Sequence, residues 1–332
     1  MRLDLLAALS GVMIAFQARA NGELSHLINN GLEAALVSFG SGLVIIVVIA
    51  IFNPAIKEGI RNLRASVSRG EIARWKLFAG ALGGCFVAIQ TQIVPLIGVA
   101  IYSVASLAGQ TAMSLVVDRI GFTGGGKKVI TGRRIAAAIL TVIAVLVSVI
   151  DRIDARSISL LAVLAGCIAG AIVGVQRALN GEINEYSHQS FATSLFNFIS
   201  GTGFLVILIL IGVATNQTTF VALPAGPWWI YTGGVIGVIY IAFTATIVQH
   251  LGVLTFTLFR VGGQLVGSLV IDLISPTDGV HVSTYLVTGI VMTYAGVIAG
   301  GVNGSRVRKP VTQKKDAANS ITPTSLPPPR LP

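Results

Sequence analysis

The chain has 332 residues, of which 54% are hydrophobic and only 11% charged, and its mean hydropathy is +0.83. Soluble domains carry about 25% charged residues, so composition excludes an ordinary soluble protein and predicts an all-α integral membrane protein. The formal net charge of +10 would suit a nucleic-acid ligand, but the charges are distributed as a topology signal, and no nucleic acid is expected as a partner.

Ten apolar stretches come near the length needed to cross about 30 Å of hydrocarbon. They fall at 3–21, 32–52, 75–95, 97–117, 132–150, 159–179, 191–213, 228–248, 251–273 and 283–302. Backbone groups in lipid must be bonded within their own segment, so runs of this kind are predicted as transmembrane helices. The first, within LLAALSGVMIAFQARA, resembles a signal peptide with a small-x-small site at Ala18-Arg19-Ala20. Its counterpart recurs inside the chain, where a signal peptide could not act. Between the second and third stretches, Ile56, Ile60, Leu63 and Val67 recur at helical spacing against Lys57, Arg61 and Arg64. That pattern suits either an amphipathic helix on an anionic leaflet or a solvated helical loop. After the fourth, Gly121 to Lys128 approaches a phosphate-binding loop, but Lys128 stands where Ser or Thr would hold Mg²⁺ and no strand precedes it. A flexible basic loop is expected instead. Cys85 and Cys167 lie singly in apolar stretches, without metal or redox spacing, so neither metal nor cofactor is expected. Residues 303–332, rich in Ser, Thr, Pro and Lys, lack the apolar surface to fold and are read as a disordered basic tail.

The chain contains itself twice. AFQARANGE at 15–23 returns as GVQRALNGE at 174–182, carrying Gln17, Asn21, Gly22 and Glu23 onto Gln176, Asn180, Gly181 and Glu182 at an offset of 159 residues. The same offset takes Gly11 to Gly170, Phe39 to Phe198, Ser41 to Ser200 and Gly42 to Gly201. Trp75, Gly80 and Gly84 return as Trp228, Gly233 and Gly237, and Gly98, Gly109, Gln110, Ser114 and Asp118 as Gly252, Gly263, Gln264, Ser268 and Asp272. The predicted organisation is a five-helix repeat over 1–154, a second over 157–302, and the tail. Five crossings per repeat turn the second copy upside down, and inverted repeats are a transporter architecture.

With ten spans and both termini on one side, that side holds 19 of the 23 Lys and Arg residues, Arg177 among them. The positive-inside rule then places both termini in the cytoplasm. Glycines spaced by four, at Gly166, Gly170 and Gly174, at Gly80 and Gly84, and at Gly233 and Gly237, are expected as seams of close helix packing, smooth enough for sliding between two states.

The repeated Q-x3-N-G-E element, the F-x2-G that follows and the later G-Q-x7-D, carried on two five-helix halves over roughly 1–302, resemble the YdcZ-type branch of the drug/metabolite transporter superfamily. The resemblance implies a central cavity lined mainly by helices one, three, four, six, eight and nine, with transport by alternating access. It implies export across the inner membrane more than uptake. Each half resembles the short members of the branch that pair as dimers, and a homodimer of the fused chain is compatible with the sequence.

Polar groups inside lipid mark the candidate site. Gln17 and Asn21 share one helix face, as do Gln176 and Asn180; amides both donate and accept, so the pairs suit either a neutral or zwitterionic substrate or interhelical bonding. Arg260 falls mid-span and has Ser106 as its counterpart; a buried Arg costs about 2.5–3.5 kcal/mol on insertion scales unless it faces a cavity or an acid. Gln90, Gln92, Gln110 and Gln264 add polar lining. Glu23, Glu182, Asp118 and Asp272 are candidates for coupling or gating, with helix-end charge or an Asp118–Arg119 pair as the structural alternative. The predicted function is secondary transport of a small organic solute, driven by an H⁺ or Na⁺ gradient because no nucleotide site is present. A channel-like or scaffolding protein is the alternative, and a membrane-embedded transferase the weaker one, since no paired carboxylates or His clusters occur in the loops.

Overall fold

The computed structural model of the protein describes residues 3–121, 130–153, 160–251, 253–277 and 281–301. The basic loop beyond Gly121, the segment joining the repeats and the tail lie outside the described residues. Every regular element described is helical. In chain order they are α1 (Leu3–Ile28), α2 (Gly31–Phe52), α3 (Pro54–Ser68), η1 (Arg74–Phe78), α4 (Ala79–Ile120), α5 (Gly132–Ser148), α6 (Ile150–Ile153), α7 (Leu160–Ser187), α8 (Ser190–Ala214), η2 (Trp228–Tyr231), α9 (Gly233–Leu251), α10 (Val253–Ile274) and α11 (Thr284–Gly301).

Each expected apolar stretch lies in a helix, and two of them share α4. Among the described residues, six helical segments are long and apolar enough to cross a membrane by length and composition, including the 47-residue run Arg74–Ile120. That run holds two crossings, because α4 breaks at Gly98, where φ is +79° and ψ 168°. Side chains are strained at such a φ and glycine is not. The break leaves the second arm of α4 with unsatisfied N–H groups. The Asp272 carboxylate accepts from two of them, Val99 N at 3.1 Å and Ala100 N at 2.8 Å. Large apolar side chains such as Val44, Ile51, Leu161, Leu210 and Val266 point outward, as they do where the solvent is hydrocarbon.

The repeats share their turns as well as their sequence. Asn29 and His188, equivalent under the 159-residue offset, both take left-handed backbone at φ +50° and +53°. The next residues, Asn30 and Gln189, both cap the following helix, Asn30 accepting from Glu33 N and Gln189 from Phe191 N. η1 and η2 likewise carry the equivalent Trp75 and Trp228, both exposed, as aromatic residues at membrane interfaces are.

Packing exchanges partners between the repeats. A Cβ at Gly11 would collide with the Arg260 carbonyl and one at Gly263 with the Ala8 carbonyl, which joins α1 to α10. The equivalent glycines do the same in the equivalent place: Gly170 meets the Ser106 carbonyl and Gly109 the Cys167 carbonyl, joining α7 to the second arm of α4. On the approximate two-fold between α2 and α8, Gly42 lies against the Phe198 ring and Gly201 against the Phe39 ring, the two rings stacking tilted at 5.6 Å. Helices that lipid does not drive together associate through such backbone approach.

α3 resolves the two readings of its segment. It is a helix started by Asn53, whose side chain accepts from Ala55 N, with Pro54 in the first turn. Its apolar face lies on protein: Gly59 packs on Gln189 and Ala192, and Leu63 joins Leu179 and Ile183 of α7. Burying Ile56 and Leu63 completely contributes roughly 1.5–3 kcal/mol each, so α3 clamps the second repeat and does not float on a leaflet.

Candidate substrate cavity

A cavity of about 570 Å³ opens at the centre of the helices, inside the range of about 300–1,000 Å³ typical of small-molecule sites. α1, both arms of α4, α7, α8, α9 and α10 contribute to it, with Ser38 and Phe39 from α2. Its walls are of two kinds. Amides line it from every side, with Gln17, Gln90, Gln110, Gln176, Asn180 and Gln264 all present. Apolar surface comes from Phe39, Phe86, Phe198 and Tyr102. Among its described lining residues there is no Asp or Glu, and one cation, Arg177.

The two amide pairs are used differently. Gln17 donates to the Gly233 carbonyl at 2.6 Å, and Asn21, 1% exposed, is pressed beside Gly233 and outside the cavity. This draws α1 onto the start of α9. In the second repeat Asn197 of α8 takes over: Gln176 donates to its Oδ1 at 3.1 Å, and its amide donates to Asn180 at 2.7 Å. Gln176 and Asn180 both stay open to the cavity.

Equivalent glutamates lie at opposite ends of the first arm of α4. Glu23 shares a small crevice with Val94 and Pro95 at one end, while Glu182 accepts from Lys76 at 2.6 Å and 2.7 Å at the other. At the Glu23 end the helices are shut: a Cβ on Gly22 would come within 2.7 Å of Val94 Cγ1. Arg19 pairs with Glu23 at 3.2 Å and donates to Thr277 and Ser275 at 3.1 and 3.0 Å, strapping α1 to the end of α10. At the Glu182 end, Gly181 meets nothing within 4 Å among the described residues, and Gly181 and Asn184 line the cavity.

The remaining candidates lie outside the cavity. Gln92 is exposed beside Gly31 at the start of α2. Asp118 accepts from Arg134 of α5 at 2.6 Å, so the Arg119 expected beside it is not the partner found in the bond. Asp272 is the cap at the Gly98 break. Arg260 lies buried behind the cavity, 3% exposed, and donates to Gln264 Oε1 at 3.1 Å; Gln264 itself lines the cavity.

Sequence reasoning missed Arg177. It reads as a cation at the cytoplasmic end of its span, yet it lies on α7, ten residues before its end, and lines the cavity. It is near enough to Arg260 for the two like charges to repel, and Tyr240 lines the same cavity. A signal was available: under the 159-residue offset its counterpart is Ala18, the same loss of symmetry that singles out Arg260 against Ser106.

An all-helical membrane protein built from two five-helix repeats around a central cavity is a membrane-carrier architecture. The family described as "Putative inner membrane exporter, YdcZ" matches the chain twice, over residues 3–147 and 161–299. The chain belongs to this family. No curated relative matches the sequence. Among solved structures, one titled "Crystal structure of protein" is similar in fold at 12% identity, with a TM-score of 0.54 over 90% of this chain and 94% of the other.

Proposed function

We propose that the protein exports a small organic solute across the cytoplasmic membrane by alternating access, with both termini in the cytoplasm. Membership of an exporter family supports the direction. The observation that carries the mechanism is the unequal state of two equivalent positions: Gly22 is packed tight at one end while Gly181 faces open space at the other. Two repeats with the same sequence element and different packing are one solution of a two-state problem, and exchanging the packing gives the other solution. The charge distribution supports a cytoplasmic position for the open Glu182 end, where an exporter collects its cargo. An H⁺ or Na⁺ gradient supplies the energy.

The test uses Ser25, 6% exposed, and its repeat equivalent Asn184, which lines the cavity. In a background lacking Cys85 and Cys167, Ser25→Cys and Asn184→Cys are each labelled with a membrane-impermeant maleimide in vesicles of both orientations. Asn184→Cys reacts from the cytoplasmic side and Ser25→Cys is protected. Arg19→Ala, which removes the strap at the closed end, raises the reactivity of Ser25→Cys and lowers that of Asn184→Cys. A parallel rise at both sites indicates a channel, and invariance indicates a scaffold. Reporter fusions at Gly126 and the C-terminus read cytoplasm and one at Asn216 the outside.

A further inference from the structure

Five of the acids on the helices are already committed. Glu23 pairs with Arg19, Glu182 with Lys76 and Asp118 with Arg134; Asp272 caps the second arm of α4; Glu33, 7% exposed, accepts from Val221 N and from Asn30. Two cations remain. Among the described residues neither Arg177 nor Arg260 forms a salt bridge, and they lie close enough to act on each other's charge. A guanidinium cannot shed its proton to escape such a site, and two like charges at membrane depth are costly unless an anion joins them.

The geometry points to an organic anion as the cargo, held by its charged group at Arg177 and Gln264 with its apolar body against Phe39 and Phe198; this rests on the carrier reading above. Arg177 offers a planar fork of donors that matches a carboxylate or sulfonate. Gln264 lines the cavity and accepts from Arg260 through Oε1, which leaves its amide N–H groups to donate and polarises them by the charge of the buried arginine behind it. Arg260 thus acts as a positioning and field residue, and Arg177 as the contact. Phe39 and Phe198 meet on the two-fold between α2 and α8 and supply the apolar wall. A cationic or neutral cargo would leave both guanidinium groups uncompensated.

The experiment uses the purified full-length chain in nanodiscs and a matched set of probes with one body and three charges: 3-phenylpropanoate, 3-phenylpropanamide and 3-phenylpropylamine, with 3-phenylpropanesulfonate and octanoate as further anions. Calorimetric titration is expected to give binding of the anions, at least tenfold weaker binding of the amide, and none of the amine. Arg177→Gln lowers anion affinity at least tenfold without lowering the melting temperature, since its side chain opens to the cavity; Arg177→Lys recovers part of the loss. Arg260→Gln lowers anion affinity and leaves amide affinity unchanged, a split that loss of structure would not produce. Equal or tighter binding of the amine or amide, absence of binding by all three anions, or full anion affinity in Arg177→Gln overturns the inference. The cysteine pair separates this from the carrier reading. Reciprocal labelling without anion binding removes the anion alone, whereas anion binding with invariant labelling keeps the site and removes the carrier.

Discussion

Gly22→Ala and Gly181→Ala are the same substitution at equivalent places, and the structure predicts opposite consequences. At Gly22 the new methyl comes within 2.7 Å of Val94 Cγ1 and 3.1 Å of Val94 Cβ. Val94 is 1% exposed and β-branched, so its side chain has one strongly preferred rotamer in a helix and cannot turn aside. Overpacking of this kind costs about 1–3 kcal/mol. The cost falls only on conformations in which the Glu23 end is shut, so the equilibrium shifts by about 5- to 150-fold toward those in which it is open. At Gly181 the methyl enters open space, so the present conformation bears no cost and the penalty arises when the Glu182 end closes. The gain in helix propensity, roughly 1 kcal/mol for Gly to Ala, applies to both conformations and cancels. Maleimide labelling at Ser25→Cys and Asn184→Cys reads the result: Gly22→Ala speeds the first and slows the second, and Gly181→Ala does the reverse. If both alanines move the two rates in the same direction, or Gly22→Ala leaves Ser25→Cys protected, the two ends do not alternate and the reasoning fails.

The packing and capping of the fold give further checks. Gly263→Ala and Gly109→Ala each drive a methyl into a backbone carbonyl, which no rotamer relieves, and each lowers unfolding stability by about 1–3 kcal/mol in a thermal melt. Gly203→Ala, with nothing within 4 Å among the described residues, is neutral or stabilising in the same assay. Asp272→Ala strands the Val99 and Ala100 N–H groups and costs about 1–3 kcal/mol for each buried donor left unsatisfied, visible as a lower melting temperature and faster proteolysis near Gly98. The Glu71 carboxyl is held below its ordinary value by its hydrogen bond from Arg69. Its contribution is therefore present above the ordinary carboxylate range and lost as pH falls through the lowered value. Because both groups are solvent-exposed, Glu71→Gln leaves the melting temperature unchanged at neutral pH.

Much of this architecture was legible in the sequence because hydrocarbon imposes a simple rule. The ten apolar stretches map onto helices since no other backbone satisfies itself in lipid. What shifted were the ends: α7 runs eight residues past its expected limit, to Ser187, because its last turns are polar yet lie inside the protein against α3 and the cavity. Hydropathy ends a helix where lipid ends, and α7 continues where protein takes over. The merging of two stretches into α4 escaped the sequence for a related reason, as Gly98 bends the chain without any loop. Asp272 could be seen as a buried acid, but its capping role depends on an N–H pair 172 and 173 residues away, which periodicity does not reach. Arg177 was misjudged because its neighbours resemble a helix end, although the alignment of the repeats already set it against Ala18.

The repeat itself separates two kinds of residue. Positions that recur, such as Gly11 and Gly170, Asn30 and Gln189, or Phe39 and Phe198, do scaffold work in both halves: close approach, capping and contact across the two-fold. Work that must be done at each end of the molecule has to be encoded twice, and duplication supplies it. A site near the centre is reached from both ends and needs encoding once. Some positions at the centre have diverged: Ala18 corresponds to Arg177, both lining the cavity, and Ser106 to the buried Arg260, while amides such as Gln17 and Gln176 recur there. Charge specificity in such a fold is therefore to be sought where the two halves disagree, and gating where they match in sequence but differ in packing, as at Gly22 and Gly181.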